Sequence, residues 1–176
     1  MRFKMAGNKA DKIISVVRNG ETSVAIPRGA PVVLKLSTTA ADNDGLDVVL
    51  ASTAGSPLSA ALRFGVALTA IAAGDFGEVV RNGIMPYALV TRATRAASSD
   101  SWTSSASIAS GIGLGLDIVA GNNAFILGGA SAAGSVVSGP DAVLLDSIAS
   151  MAASASATSD TRTAITIAAR VFVRML

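Results

Sequence analysis

The stretch TAITIAARVFVR, residues 163–174, decides the fold. Thr163, Ile165, Ile167, Ala169, Val171 and Val173 share one parity, while Arg162, Thr166, Arg170 and Arg174 fall on the other. Side chains alternate across a strand with period two, so this pattern predicts a half-buried strand lying centrally in a sheet. Upstream, β-prone runs recur at residues 12–18, 21–26, 32–36, 46–51, 63–70, 78–81 and 84–94, punctuated by Gly, Pro and Asn-Gly. Short strands at such intervals are the pattern of a sandwich or barrel. Asn19-Gly20 between two such runs predicts a tight hairpin, since both central residues of that turn need positive φ. Asn82-Gly83 interrupts a later run in the same way, and Pro86 predicts an edge or a bulge because it has no N–H to give a ladder. A further hairpin is expected between residues 117–120 and 124–127 around Gly121-Asn122-Asn123. Leu144, Leu145, Ile148 and Met151 stand near helical spacing after Pro140 and Asp141, which predicts one short helix over residues 142–152. The whole reads as an all-β fold, a single domain over residues 12–176 after an N-terminal basic arm of residues 1–11, with at most one or two short helices.

Composition narrows the function. Of 176 residues, 51% are hydrophobic but only 4% aromatic, so the core must be built from Val, Ile, Leu and Ala. Such side chains bury little area each, at about 25 cal/mol per Å2, and burial between subunits would add stability. A mean hydropathy of +0.55 raises the question of a membrane. The longest uncharged run, residues 118–140, is broken by Gly121, Asn122, Asn123, Gly128, Gly129 and Gly134, unlike the roughly 20 apolar residues of a spanning helix. No membrane segment is expected, and no secretory signal, because residues 6–12 are polar. The absence of Cys fits a reducing cytoplasm as the place of assembly. A net charge of +2 without a dense basic patch or stacking aromatics argues against a nucleic-acid partner.

The chain has neither His nor Cys. Without them no Ser-His-Asp or Cys-His nucleophile and no thiolate or imidazole zinc site can be built, so neither enzyme chemistry nor a cofactor is expected. Asp42, Asp44 and Asp47 around Gly45 resemble the opening of a calcium loop, but Leu50, Ala51 and Ser52 stand where more oxygens would be needed; a solvated turn is the simpler reading. Asp75 and Glu78 are the nearest thing to an acid–base pair, and a turn Asp beside a strand-start Glu explains them without chemistry.

Association is the remaining theme. In the arm, Phe3 and Met5 alternate with Arg2 and Lys4, with Lys9 beyond, a pattern suited to strand addition on an acidic neighbour. Gly111, Gly113 and Gly115 alternate with Ile112, Leu114 and Leu116, which would bare one strand face to a close approach, as at an interface. Trp102, in the polar run of residues 98–105, is either a partner anchor or the plug of a barrel end.

Phe64-Gly65-Val66-Ala67-Leu68, Ala72-Ala73-Gly74-Asp75 and Val79-Val80-Arg81-Asn82-Gly83 resemble a pattern of capsid decoration, or cement, proteins of tailed bacteriophages. Gly29-Ala30-Pro31-Val32-Val33-Leu34 is similar to their strand opening, and the likeness spans residues 27–90. It implies a small β-barrel or β-tulip-like domain, usually a homotrimer, on the outer surface of the virion capsid. There the arm would reach onto the major capsid protein and cement neighbouring subunits. A phage tail-fibre or carbohydrate-binding trimeric β module is the alternative, although such modules should show more surface Trp, Tyr, Asn and Asp.

Overall fold

The structure, a computed structural model, describes residues 12–35, 47–50, 63–91, 94–95, 102–103, 109–116, 124–127, 142–149 and 166–175. Among them the regular structure is all β, in eleven strands. The first five are β1 (Ile13–Asn19), β2 (Pro31–Leu34), β3 (Asp47–Leu50), β4 (Arg63–Ala67) and the 16-residue β5 (Phe76–Thr91). They close into a barrel in the order β1-β3-β2-β4-β5, with β1 parallel to β3 and antiparallel to β5. Beyond it, β6 (Thr94–Arg95) and β7 (Trp102–Thr103) form a separate two-stranded ribbon. The last four strands are β8 (Gly113–Leu116), β9 (Phe125–Leu127), β10 (Ala142–Leu144) and β11 (Thr166–Arg174). With the far half of β5 they form a second ring, β5-β11-β10-β8-β9, closed by the parallel pair Val90 and Phe125.

One continuous sheet therefore curls twice, and each of its faces lines a core. Val17, Ile26, Val32, Leu50, Ile71 and Val79 fill the first barrel. Val33, Val49, Val66 and Val80 are the alternate residues of the same barrel strands, on its outer face, and they join the core cluster of Met85, Leu114, Phe125 and Val171 in the second ring. Strands buried on both faces read as unbroken aliphatic runs, as here in Val32-Val33 and Val48-Val49-Leu50. Each such side chain, fully buried, contributes about 1.5–3 kcal/mol relative to exposure.

β5 makes the switch between the rings. At Gly83 its φ is +111, a conformation that side chains rarely adopt, so the strand kinks there without ending. Three residues on, Ala88 pairs with Ala169 while Met85 pairs with Val171, leaving Pro86 and Tyr87 opposite Arg170 alone. This is the bulge expected of Pro86, where a missing N–H costs no ladder bond. β11 shows the alternation read from residues 163–174, with Ala169, Val171 and Val173 buried and Arg170, Phe172 and Arg174 exposed, and it lies between β5 and β10.

Four local expectations are corrected. Asn19-Gly20 is not a hairpin turn: no non-Gly residue among those described has positive φ, and β1 pairs with β3 and β5 rather than with residues 21–26. Asn82-Gly83 is a kink inside β5, not a break between strands. The described part of the expected helix, residues 142–149, is strand β10 followed by an irregular stretch; Ala142 and Leu144 point to the core at period two, and the ladder to β8 and β11 overrides the helical spacing. Gly111 does not share a strand face with Gly113 and Gly115. It lies in a turn before β8 at φ +87, with open space where a Cβ would stand, whereas Gly113 and Gly115 are in the strand. Of the later hairpin, the expected second arm contains β9, which pairs with β8 through Leu114 against Leu127 and Leu116 against Phe125; residues 117–120 lie outside the described residues.

Candidate functional site

The connection after β1 is held by Asn19, whose side chain is buried. Its Nδ2 donates to the carbonyls of Val24 at 3.0 Å and Ile71 at 2.9 Å, and its Oδ1 accepts from the Glu21 N–H at 2.9 Å. Glu21 Oε1 in turn accepts from the Leu50 N–H at 2.9 Å. A buried polar network of this kind fixes the backbone because each group left alone would cost its desolvation. The Asn19 backbone also pins the turn that leads into β5, donating to Asp75 O at 2.8 Å and accepting from Gly74 N at 2.9 Å.

Beside this network lies a polar cleft of about 280 Å3, lined by Arg18, Gly20, Glu21, Thr22, Lys35 and Asp47 among others. Arg18 grips Asp47 with both ends of its fork, Nε to Oδ1 and Nη2 to Oδ2, each 2.7 Å. Those hydrogen bonds hold the Asp47 carboxyl below the usual carboxylate range, against an opposing effect of burial. Lys35 Nζ donates to the Gly20 carbonyl at 2.7 Å. Asp47, one of the three Asp residues considered for a cation, is thus committed to Arg18; Asp42 and Asp44 lie outside the described residues. Among the described residues no three His, Cys, Asp or Glu side chains form a metal-binding group.

On the outside of the barrel the surface is apolar. Arg18 stands opposite Phe76, Val16 opposite Glu78 and Ile14 opposite Val80 in the β1–β5 ladder, so these side chains share the outer face. Phe76 is 65% exposed and Val16 58% exposed, with Ile13 and Ile14 also open to solvent. A register irregularity between Ile13 and Ile14 leaves both facing outward. The result is an aliphatic and aromatic stripe flanked by Arg18 and Glu78. An apolar centre with a charged margin is the make-up of a protein-binding surface.

The residues singled out from sequence are dispersed. Arg2, Phe3, Lys4, Met5 and Lys9 lie outside the described residues. Trp102 pairs with Arg95 in the β6–β7 ribbon, Gly111 is in an exposed turn, and Gly115 is buried beside Ile126 in the sheet. Glu78 stands on the outer face beside the apolar stripe and Asp75 in the turn before it. Ile14, Val16 and Phe76 were not anticipated. The signal was available in IISVV, residues 13–17, which is apolar at both parities, more than a strand with one wet face requires. No described helix is long and apolar enough to cross a membrane. In comparisons with known proteins, no family model and no curated protein matches the chain.

Proposed function

We propose that this chain is a structural virion protein that binds the outer surface of a tailed-phage capsid as a homotrimer and cements neighbouring major capsid protein subunits. The observation that carries the reading is the exposed stripe of Ile13, Ile14, Val16 and Phe76 on a barrel that is otherwise closed and aliphatic. It begins one residue after Lys12, so in sequence the apolar face follows directly on the basic segment of residues 1–11. Reinforcing a shell calls for many modest contacts repeated around a lattice, each strengthened by the others, rather than for a reaction. In this reading the chain catalyses nothing, needs no cofactor and works on the outside of the particle.

Co-sedimentation with purified heads tests it, together with light scattering of the free protein. The expected result is a trimer that binds expanded heads and raises their resistance to heat or chelation, with binding weakened by deletion of residues 1–10. A monomer with no affinity for any head would refute the proposal.

A further inference from the structure

β5 carries a bulge as well as its kink. Ile14 pairs with Val80 and Ile13 with Asn82, so Arg81 is an extra residue with no opposite number on β1. An extra residue re-aims the side chains around it. The phase of the strand changes there: Val80 and Met85, an odd number of residues apart, both face the core of the second ring. Val173, in that same core, stands opposite Gly83, and Arg174 stands opposite Asn82. Arg81, Asn82 and Arg174 therefore all point away from that core, on one face of the sheet and within cross-strand reach of one another.

Two cations brought together on one face call for an anion between them, and the described residues supply none. The Arg81 guanidinium lies over the Phe64 ring, its Cζ 4.7 Å from the centroid, and its Nε is buried with no hydrogen-bond partner. Among the described residues neither Arg81, Asn82 nor Arg174 makes a side-chain hydrogen bond or ion pair. Asp47 and Asp146 are committed to Arg18 and Arg170, and Glu21 accepts from the Leu50 N–H. Glu78 stands on the opposite face of β5, beside Val16, and Asp75 lies in the turn before the strand. The next charges along the ladders, Lys12 beside Ile13 and Arg63 beside Phe64, are cations as well. A shielded guanidinium N–H without an acceptor is costly to keep. Stacking on a ring fixes the plane of the fork, which leaves its outer edge set for two parallel hydrogen bonds to one oxyanion.

We propose that Arg81 and Arg174, with the Asn82 amide, form an oxyanion site where the two rings join, one that takes a carboxylate or phosphate group. Arg81 supplies the oriented fork, with Phe64 as its platform. Arg174, exposed on the neighbouring strand, supplies a second charge, and Asn82 a neutral donor between them. The site is a property of the folded chain alone and stands or falls apart from capsid binding.

The buried Nε–H of Arg81 gives the readout, since its proton is shielded from exchange with water. In the isotope-labelled full chain at fixed ionic strength, sodium phosphate and, separately, sodium succinate should move the Arg81 side-chain signal and the amides of residues 81–83 and 173–175. The shifts should saturate with a midpoint on the order of 1 mM, as befits a few charge-assisted hydrogen bonds. Saturation by both assigns the site to oxyanions in general, by succinate alone to carboxylates, and by phosphate alone to phosphates. Arg174→Gln, at an exposed position outside the core, should weaken binding about tenfold. Arg81→Lys, which keeps the charge and loses the fork, should weaken it at least as much. Arg28→Gln, which removes the cation stacked on Tyr87, should leave it unchanged. Shifts that rise without saturating for both anions would overturn the proposal. So would binding of undiminished strength in Arg174→Gln, or equal weakening in Arg28→Gln.

Discussion

Asn19→Ala should destabilise the protein by about 3 kcal/mol, and the figure follows from what each lost bond leaves behind. The side chain makes two donated and one accepted hydrogen bond. A net contribution of about 1 kcal/mol per bond sets the central value. The three partners do not suffer equally. Ile71 O keeps the N–H of Ile26 at 2.9 Å as a second donor, and Val24 lies in an exposed stretch where water can replace the amide. Glu21 N–H is the buried group whose bond to Oδ1 is lost, and it supplies the largest share of the cost.

Asn19→Asp separates this account from simple loss of packing. It retains an acceptor for Glu21 N–H but turns a carboxylate toward the carbonyls of Val24 and Ile71, which no longer receive a donor. At neutral pH it should be less stable than Asn19→Ala. Burial, with two carbonyls facing the carboxyl and the Glu21 N–H as its one remaining donor, would raise its folded-state pKa above the unfolded value, so the deficit should shrink as pH falls toward the unfolded value. Urea unfolding followed by far-ultraviolet circular dichroism, at one fixed protein concentration, reads both differences from the midpoint and slope. An alanine variant within about 1 kcal/mol of the parent by the same bookkeeping, or an aspartate variant more stable than alanine at pH 7, would refute the reasoning.

Three further outcomes are expected. Gly29→Ala should cost well over the roughly 1–2 kcal/mol that a positive φ alone demands of a side chain, because a Cβ there would meet the Tyr87 carbonyl at 2.0 Å; Gly74→Ala, at φ +79 with open space around it, should cost only that conformational amount, and equal denaturation midpoints for the two would remove the argument. The Arg18–Asp47 pair makes a folded carboxyl with a lowered pKa, whose stabilisation is present above the unfolded value of about 3.9 and is lost as pH falls through the lower folded value; Asp47→Asn should flatten that acid limb by about 1 kcal/mol or less, given that Arg18 is half exposed, as measured by unfolding from pH 6 to pH 2. Phe125→Ala removes a fully buried ring from the pair that closes the second ring and should cost about 3–5 kcal/mol, with amide exchange quickening first in β8 and β9 and last in β1 to β4.

Legibility in the sequence followed burial. β11 could be read because one of its faces is wet and the other dry, so period two survives in Ala169, Val171 and Val173 against Arg170 and Arg174. Pro86 could be read because its missing donor has few tolerable places in a sheet. Asn19 and Asn82 could not, because Asn-Gly signals a turn only when the Asn side chain is free: Asn19 spends its amide on the nearby carbonyl of Val24 and the distant one of Ile71, and Gly83 supplies a kink within a strand. Leu144, Leu145 and Ile148 carry a helical spacing that local sequence cannot distinguish from a short strand followed by a bridge, and the deciding contact, Leu144 with Val171, is distant in the chain. The apolar stripe was latent in residues 13–17, but its exposure depends on which neighbours cover the other strands and leave β1 bare.

The double curl of the sheet also changes what the composition means. A chain that is 51% hydrophobic and 4% aromatic invites the inference that much of its apolar surface is hidden between subunits. Here the strands shared by two cores absorb a large part of it internally: Val32 and Val33, Val48 and Val49, Val66 and Ala67, and Val79 and Val80 are buried in adjacent pairs, one to each face. Small β-branched side chains suit such a layer, since both faces of a tightly curved sheet must pack at once and bulky rings would force the curls apart. Among the described residues the apolar stripe that remains is narrow, four side chains on β1 and the start of β5, with Val24, Tyr87, Ile112 and Phe172 exposed elsewhere. That narrowness makes the surface testable by substitution: Ile14, Val16 and Phe76 lie outside both cores, so polar replacements there should alter association while leaving the two curls of the sheet in place.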